Sequence, residues 1–245
     1  MTDQIAYMDV AAATDVGTSY KRRLLELLGI RAGQTAVDIG CGPGTDLGAL
    51  VEAVGDDGRV IGVDRDPGMV DEARRRHPGA DIRQGDLHAL PLADHSVDCI
   101  KVDRVLQHVD DPQAAIAEAR RALRPGGLFA MAEPDWDTLA VADEDVETSR
   151  AFARFNGRRV RNPTIGRELV RLCTTEGFHI RTVEPVPILF RDFSTASHIL
   201  GLERNSVRAV DNGDIAPAAA QAWLKRLEIG PLVAGFTLYL VVAEA

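Results

Sequence analysis

The sequence predicts an α/β protein built on a doubly wound parallel sheet. Three observations predict it. Short β-rich runs alternate with helical patterns between about residues 35 and 133, a glycine-rich turn follows the first run, and an aspartate closes the second. The strands are expected at 35–39 (TAVDI), 59–63 (RVIGV), 81–83, 97–102 (VDCIKV) and 128–133 (LFAMAE). Between them the apolar spacing predicts helices over 46–54, over 67–76 with Pro67 at its first position, and over 112–123 opened by Asp111. Gly126 and Gly127, after Pro125, turn the chain into the fifth strand.

Before residue 35 an amphipathic stretch, 20–28, is suited to cover a sheet face or close over a ligand. After residue 133 the pattern changes. Helices are expected over 143–160 and 165–177, the second ended by Gly177, and two long strands over 178–190 and 235–243. The forty or so residues between those strands read as two helical pieces, 195–209 and 217–229. With no repeat and no linker, the chain reads as one domain over 1–245. An N-terminal helical cover spans 1–30, a ligand-binding core 31–135, and helical cap insertions 137–160 and 191–234.

The 245 residues carry 28 Lys+Arg against 37 Asp+Glu, a formal charge of −9 that disfavours a nucleic-acid or anionic-membrane partner. A 45% hydrophobic content suffices for one large core. Cys41, Cys99 and Cys173 are odd in number and far apart, so neither a disulfide framework nor a structural zinc site is encoded. The opening MTDQIAYMDV lacks a basic start followed by an apolar run, and no stretch is long and apolar enough to span a bilayer. A cytoplasmic protein, monomeric or homodimeric, is expected.

The strongest local signal is VDIGCGPG, Val37 to Gly44, where the first strand meets the next helix. Gly40, Gly42 and Gly44 permit close approach of a ligand to the backbone. Asp64, in IGVD, stands where a carboxylate can accept hydrogen bonds from ribose hydroxyls. Asp38 sits just before the glycines and Pro43 removes one N–H, so a pyrophosphate suits the loop poorly. A ligand with a ribose and a cationic group but no phosphate fits better, and S-adenosylmethionine has both.

With that ligand, five motifs in order resemble the class I S-adenosylmethionine-dependent methyltransferases, in particular the small-molecule ubiquinone and menaquinone biosynthesis group. They are VDIGCGPG, IGVD, QGDLHALPL with Asp86, SVDCIKVDRVLQHVDDP, and LRPGG. The resemblance spans about residues 20 to 135. It implies a Rossmann-like, seven-stranded, mostly parallel sheet whose last strand is antiparallel. It also implies that Asp38, Gly40, Gly42 and Gly44 hold the amino-acid part of the cofactor and Asp64 its ribose. Asp86 and the Leu87 backbone would meet the adenine amino group, Met69 would pack on the adenine, and Asp103 with Arg104 would border the methionine portion and the transferable methyl.

For the chemistry, His108 in VLQHVDD lies after the fourth strand, at the carboxyl edge where open α/β sheets place ligands. It reads either as a general base that also touches the substrate or as a structural residue bonded to Asp110 or Asp111. Glu133, Asp135 and Asp137 follow the fifth strand. Glu133 and Asp135 are candidates to orient or deprotonate the acceptor, or they are turn residues around Pro134. Trp136 is the aromatic expected to wall the substrate pocket. No metal is expected: the order of motifs and the histidine after the fourth strand resemble the metal-independent methyltransferases, and the remaining histidines show no paired ligand spacing. Arg158, Arg159, Arg161 and Arg167 suggest either a contact to an acidic substrate group or a solvated helix face.

The function expected is methyl transfer from S-adenosylmethionine to an O, N or C atom of a small molecule, such as a specialised metabolite. The alternatives are a cofactor-binding protein or cyclase on the same fold without methyl transfer, and a dinucleotide-dependent oxidoreductase.

Overall fold

Apolar β-branched runs pair in parallel at the centre of the molecule. The computed structural model describes residues 2–245, with side chains from residue 5 onward. Strands β1 (Thr35–Ile39), β2 (Arg59–Asp64), β3 (Asp81–Gln84), β4 (Val97–Asp103) and β5 (Leu123–Val141) pair in parallel. Strand β7 (Ala234–Glu244) runs antiparallel between β5 and β6 (His179–Phe190), completing one sheet of order β3-β2-β1-β4-β5-β7-β6. The order reverses between β1 and β4, and that reversal opens a crevice at the carboxyl ends of the strands.

The β5 strand is longer than the sequence suggested. Pairing with β7 carries it past Glu133 through Asp135↔Thr237, skips a bulge, and resumes at Ala140↔Gly235. The acidic run after Glu133 is therefore part of the sheet rather than a turn following it.

Helices cover both faces. On one lie α2 (Asp15–Leu28), α3 (Leu47–Val54) and α4 (Pro67–Arg76), which bury Leu24, Leu28, Leu47, Leu50, Val70 and Ala73. On the other lie α5 (Pro112–Ala122) and α7 (Ile165–Thr175), burying Ile116, Leu169 and Leu172 with Phe129 and Met131 of β5. Each of these side chains larger than alanine contributes about 1.5–3 kcal/mol when fully buried. Asp66 fixes the start of α4 by accepting from Gly68 N at 2.8 Å, and Asp111 that of α5 by accepting from Ala114 N at 3.0 Å; a proline follows each.

The late insertions form a helical layer: α6 (Val146–Arg158), α8 (Phe193–Leu200), α9 (Leu202–Asp211) and α10 (Pro217–Ile229). The first of the two expected pieces is split, because Gly201 takes a left-handed turn (φ 67) between α8 and α9. The centre of this layer is Trp223, stacked on Phe152 with centroids 5.0 Å apart and donating to Ser149 Oγ at 2.9 Å. The N-terminal cover is two helices, α1 (Thr2–Ala13) and α2, with Thr14 capping the second. Helix α1 reaches both sides of the crevice: Asp9 pairs with Arg76 at the end of α4, and Tyr7 stacks on His198 of α8.

Candidate functional site

The glycine turn is bound to its neighbours through nearly all of its own donors. Gly40 N and Cys41 N donate to the Val63 carbonyl at 2.7 and 3.1 Å, Gly42 N to Asp64 Oδ2 at 2.9 Å, and Gly44 N to the Cys41 carbonyl at 3.0 Å. Pro43 has no N–H. No turn donor from Gly40 to Gly44 is left for a phosphate, which excludes the usual pyrophosphate cradle for a physical reason stronger than charge. Gly40 has φ 71, and a Cβ there would meet Val105 Cγ2 at 2.3 Å. Above Gly42 stands the Met8 sulfur of α1, 3.1 Å from where a Cβ would be. Asp64 holds the turn with Oδ2 and accepts from Asp66 N with Oδ1 at 2.9 Å, and each oxygen keeps a further lone pair.

Beneath the turn lies a cluster that sequence reasoning missed. Lys101, in the middle of β4 and 2% exposed, donates to Asp38 Oδ1 at 3.1 Å and to Asp46 Oδ2 at 2.6 Å. Lys21 of α2 bridges Asp46 (2.6 Å) and Asp103 (2.5 Å), and Tyr20 donates its hydroxyl to Asp103 at 3.1 Å. Burial pushes the Asp38 carboxyl up to about 6 against the pull of Lys101. Asp103 is also desolvated by burial, but Lys21, Arg104 and Lys101 outweigh that and hold it well below the usual carboxylate range. Asp38 thus shares Oδ1 with Lys101 beneath the turn. No spacing in the sequence connects these lysines to the glycine motif.

At the carboxyl end of β4, Arg104 adopts φ 58 and leads into a one-turn 3-10 helix, Leu106–His108. Glu133, fully buried on β5, accepts from Val105 N at 2.8 Å, Leu106 N at 2.7 Å and Gln107 N at 3.3 Å, and so holds that turn. Burial raises its pKa to about 8, partly offset by these N–H groups. Asp135, 1% exposed, is gripped by the Arg167 guanidinium, with Nη2 2.6 Å from Oδ1 and Nε on Oδ2. Both carboxylates face protein partners.

His108 is exposed, and among the described residues neither Asp110 nor Asp111 bonds to it. Asp110 pairs with Arg161, and Asp111 caps α5. Partial enclosure, then the charges of Arg65 and Arg104, hold its pKa below the ordinary histidine value. Trp136 stacks on Phe236 with centroids 4.6 Å apart and donates to Gln107 Oε1 at 2.9 Å. The arginine cluster is committed internally, Arg158 to Asp214, Arg161 to Asp110 and Arg167 to Asp135, while Arg159 lies over Phe155.

On the other flank of the crevice, Met69 and Leu87 are buried and Asp86 is exposed. His88 fixes Asp86: its backbone N donates to Oδ1 at 2.8 Å and its Nδ1 lies 2.6 Å from the same oxygen, while Nε2 accepts from Asp111 N at 3.2 Å. Because Nε2 accepts, the proton is on Nδ1. Asp86 Oδ2 has no partner among the described residues. The site therefore offers Asp64 lone pairs, two buried apolar side chains and one free carboxylate oxygen in sequence along one edge. These residues fit a nucleoside without phosphates.

The sheet order, with its antiparallel β7, and a turn without phosphate donors define a Rossmann-like methyltransferase. Residues 37–131 match the family described as Methyltransferase domain. An uncharacterised 37.1 kDa protein in transposon TN4556 of Streptomyces fradiae is 51% identical over 247 residues, spanning 99% of this chain and 72% of that protein. The demethylmenaquinone methyltransferase of Renibacterium salmoninarum is 33% identical over 142 residues, 54% of this chain, and the match spans 59% of that enzyme's length. A SAM-dependent methyltransferase from Aquifex aeolicus shares the fold with a TM-score of 0.58 at 16% identity, over 96% of each chain. The chain belongs to the S-adenosylmethionine-dependent methyltransferases.

Among the described residues no helix is long and apolar enough to cross a membrane, and no three His, Cys, Asp or Glu side chains are grouped to hold a metal.

Proposed function

We propose that this enzyme methylates an O, N or C nucleophile of a small organic molecule, of the kind made in specialised metabolism. The observation that carries the proposal is a pocket beside the carboxyl end of β4, walled by Tyr20, Arg104, Ile188, Phe190, Phe236 and Leu238. Its apolar walls come from β6 and β7, with α8 and the α1–α2 junction around it; its free volume is only about 30 Å³, so an acceptor enters when α8 or the α1–α2 junction moves aside. The 137–160 and 191–234 insertions act as its cap. The net charge of −9 argues against a nucleic-acid acceptor, and relatives named for demethylmenaquinone support a small one.

When bound, S-adenosylmethionine supplies a methyl carbon made electrophilic by its sulfonium; the nucleophile's lone pair forms the new bond as the C–S bond breaks and its electron pair goes to sulfur. Alignment by the protein provides most of the rate, and well-oriented cases gain roughly 7–11 kcal/mol. Gly40, Gly42 and Gly44 let the turn approach the methionine portion, and Asp64 accepts from the ribose hydroxyls. Asp86 Oδ2 and the Leu87 backbone meet the adenine amino group, with Met69 against the ring. Asp103 borders the methyl. His108, neutral near pH 7, takes the acceptor's proton where there is one to take, and Glu133 positions the turn that carries it. Trp136 backs the pocket wall through Phe236.

Calorimetric titration with S-adenosylhomocysteine and with NADH, followed by an acceptor screen reading a mass gain of one methyl, tests this. Homocysteine-form binding with a methylated product supports it. Binding without transfer to any acceptor would turn the reading to a cyclase or binding protein, and binding of NADH alone would turn it to an oxidoreductase.

A further inference from the structure

We infer that the acceptor is an apolar molecule carrying one anionic oxygen group, and that the Arg104 guanidinium holds that group. The inference rests on the methyl-transfer reading above.

Arg104 occupies the left-handed region, φ 58, which a residue other than glycine adopts at a cost and keeps only where its surroundings over-determine it. They do so here. Its N–H donates to the Ala132 carbonyl at 2.8 Å, and its own carbonyl accepts from Gln107 Nε2 at 3.2 Å. The turn so fixed sets the side chain at the wall of the pocket, among Ile188, Phe190, Phe236 and Leu238.

The guanidinium has five N–H donors. Among the described residues only Nε has a partner, Asp103 Oδ1 at 3.3 Å, and both Nη groups have none, although only 26% of the side chain is exposed. Asp103 has little left to give, because it already accepts from Lys21 and Tyr20. Unmade bonds of a charged group in apolar surroundings are costly, and an oxyanion facing the two Nη groups makes them in the strongest available geometry.

The test uses the full-length protein saturated with S-adenosylhomocysteine and two matched probe pairs: 3-phenylpropionate with 3-phenylpropionamide, and 4-nitrophenolate with 4-nitroanisole. Calorimetry on the wild type is expected to show at least one anion binding about tenfold or more tighter than its neutral partner. Arg104→Gln should bring that anion down to its neutral partner's level, and Arg104→Lys should restore part of the difference. Equal binding of anion and neutral probe by the wild type overturns the inference without needing any variant, as does failure of both anions to bind. A loss of S-adenosylhomocysteine affinity in Arg104→Gln overturns it too, since the guanidinium would then serve the cofactor's own carboxylate. Failure of the wild type to bind S-adenosylhomocysteine at all is a different result, which defeats the methyl-transfer reading itself.

Discussion

On the proposed reading His108 takes the acceptor's proton, and Glu133 holds the turn that carries it. His108 stands exposed, and partial enclosure with the nearby charges of Arg65 and Arg104 keeps its pKa below the ordinary value, so it is neutral near pH 7 and ready to accept a proton. His108→Ala should lower kcat by roughly 10²–10⁴ for an acceptor that must lose a proton, with S-adenosylhomocysteine affinity unchanged. The wild-type rate should fall only on the acid side of the ordinary histidine range, and that limb should vanish in the variant; an unaltered pH–rate profile would remove His108 from the mechanism. Glu133 is the residue beneath it. Its folded pKa, raised by burial from 4.5 to about 8, makes stability fall as pH rises between those values, because there the unfolded chain has released the proton and the folded one retains it. Glu133→Gln keeps an acceptor for Val105 N and Leu106 N, and loses only the longest contact, to Gln107 N. It should cost less than about 1 kcal/mol and flatten that decline in urea-unfolding midpoints, whereas Glu133→Ala should cost roughly 2 kcal/mol or more through orphaned N–H groups.

Four elements meet at Lys101: β4 carries it, β1 presents Asp38, and α3 is preceded by Asp46, which Lys21 of α2 also reaches. Lys101→Met should destabilise by about 3–5 kcal/mol, since it strands the buried Asp38. Adding Asp38→Asn should recover most of that loss, because Asp46 keeps Lys21; equal instability of the single and double variants in urea unfolding would mean that packing, not charge, is what Lys101 supplies. None of this was legible in the sequence, where Lys21 and Lys101 are isolated lysines in unrelated segments. What was legible were the elements themselves. Thr35–Ile39, Pro67–Arg76 and Pro217–Ile229 stand where expected, because β-branched runs or a proline at the first helical turn marked them locally. Within the N-terminal cover only 20–28 carried a helical pattern of its own, because the apolar residues of α1 are spread around the helix rather than gathered on one face. The length of β5 was set by its distant antiparallel partner β7, which no local pattern encodes. The candidate site divided likewise: the placement of Asp64, Asp86 and His108 follows from motif order, while the partners of Asp38, Glu133 and Asp135 are brought in by folding.

At the scale of the whole molecule, α1 links the glycine turn to α4 on one side and to α8 on the other. Met8 of α1 lies over Gly42, while Asp9 ties the helix to Arg76 and Tyr7 ties it to α8, so α1 spans the crevice that the strand reversal opens. A ligand seated on the glycine turn must therefore displace the Met8 side chain and then be covered by the same helix. S-adenosylhomocysteine at one hundred times its Kd should add about 2.7 kcal/mol to unfolding stability, a gain that follows from mass action alone. NADH should add nothing, because Gly40, Cys41, Gly42 and Gly44 have already spent their N–H groups on Val63, Asp64 and Cys41. Asp64→Ala should abolish most of the homocysteine-form stabilisation by removing the ribose acceptor and loosening Gly42 together. Hydrogen exchange locates the effect: protection on binding should rise in the segment from β1 to α3, at the carboxyl end of β2 and in α1. Protection confined to the glycine turn, with α1 exchanging as fast as in the free protein, would show that α1 is a fixed wall and that the cofactor enters from the cap side instead.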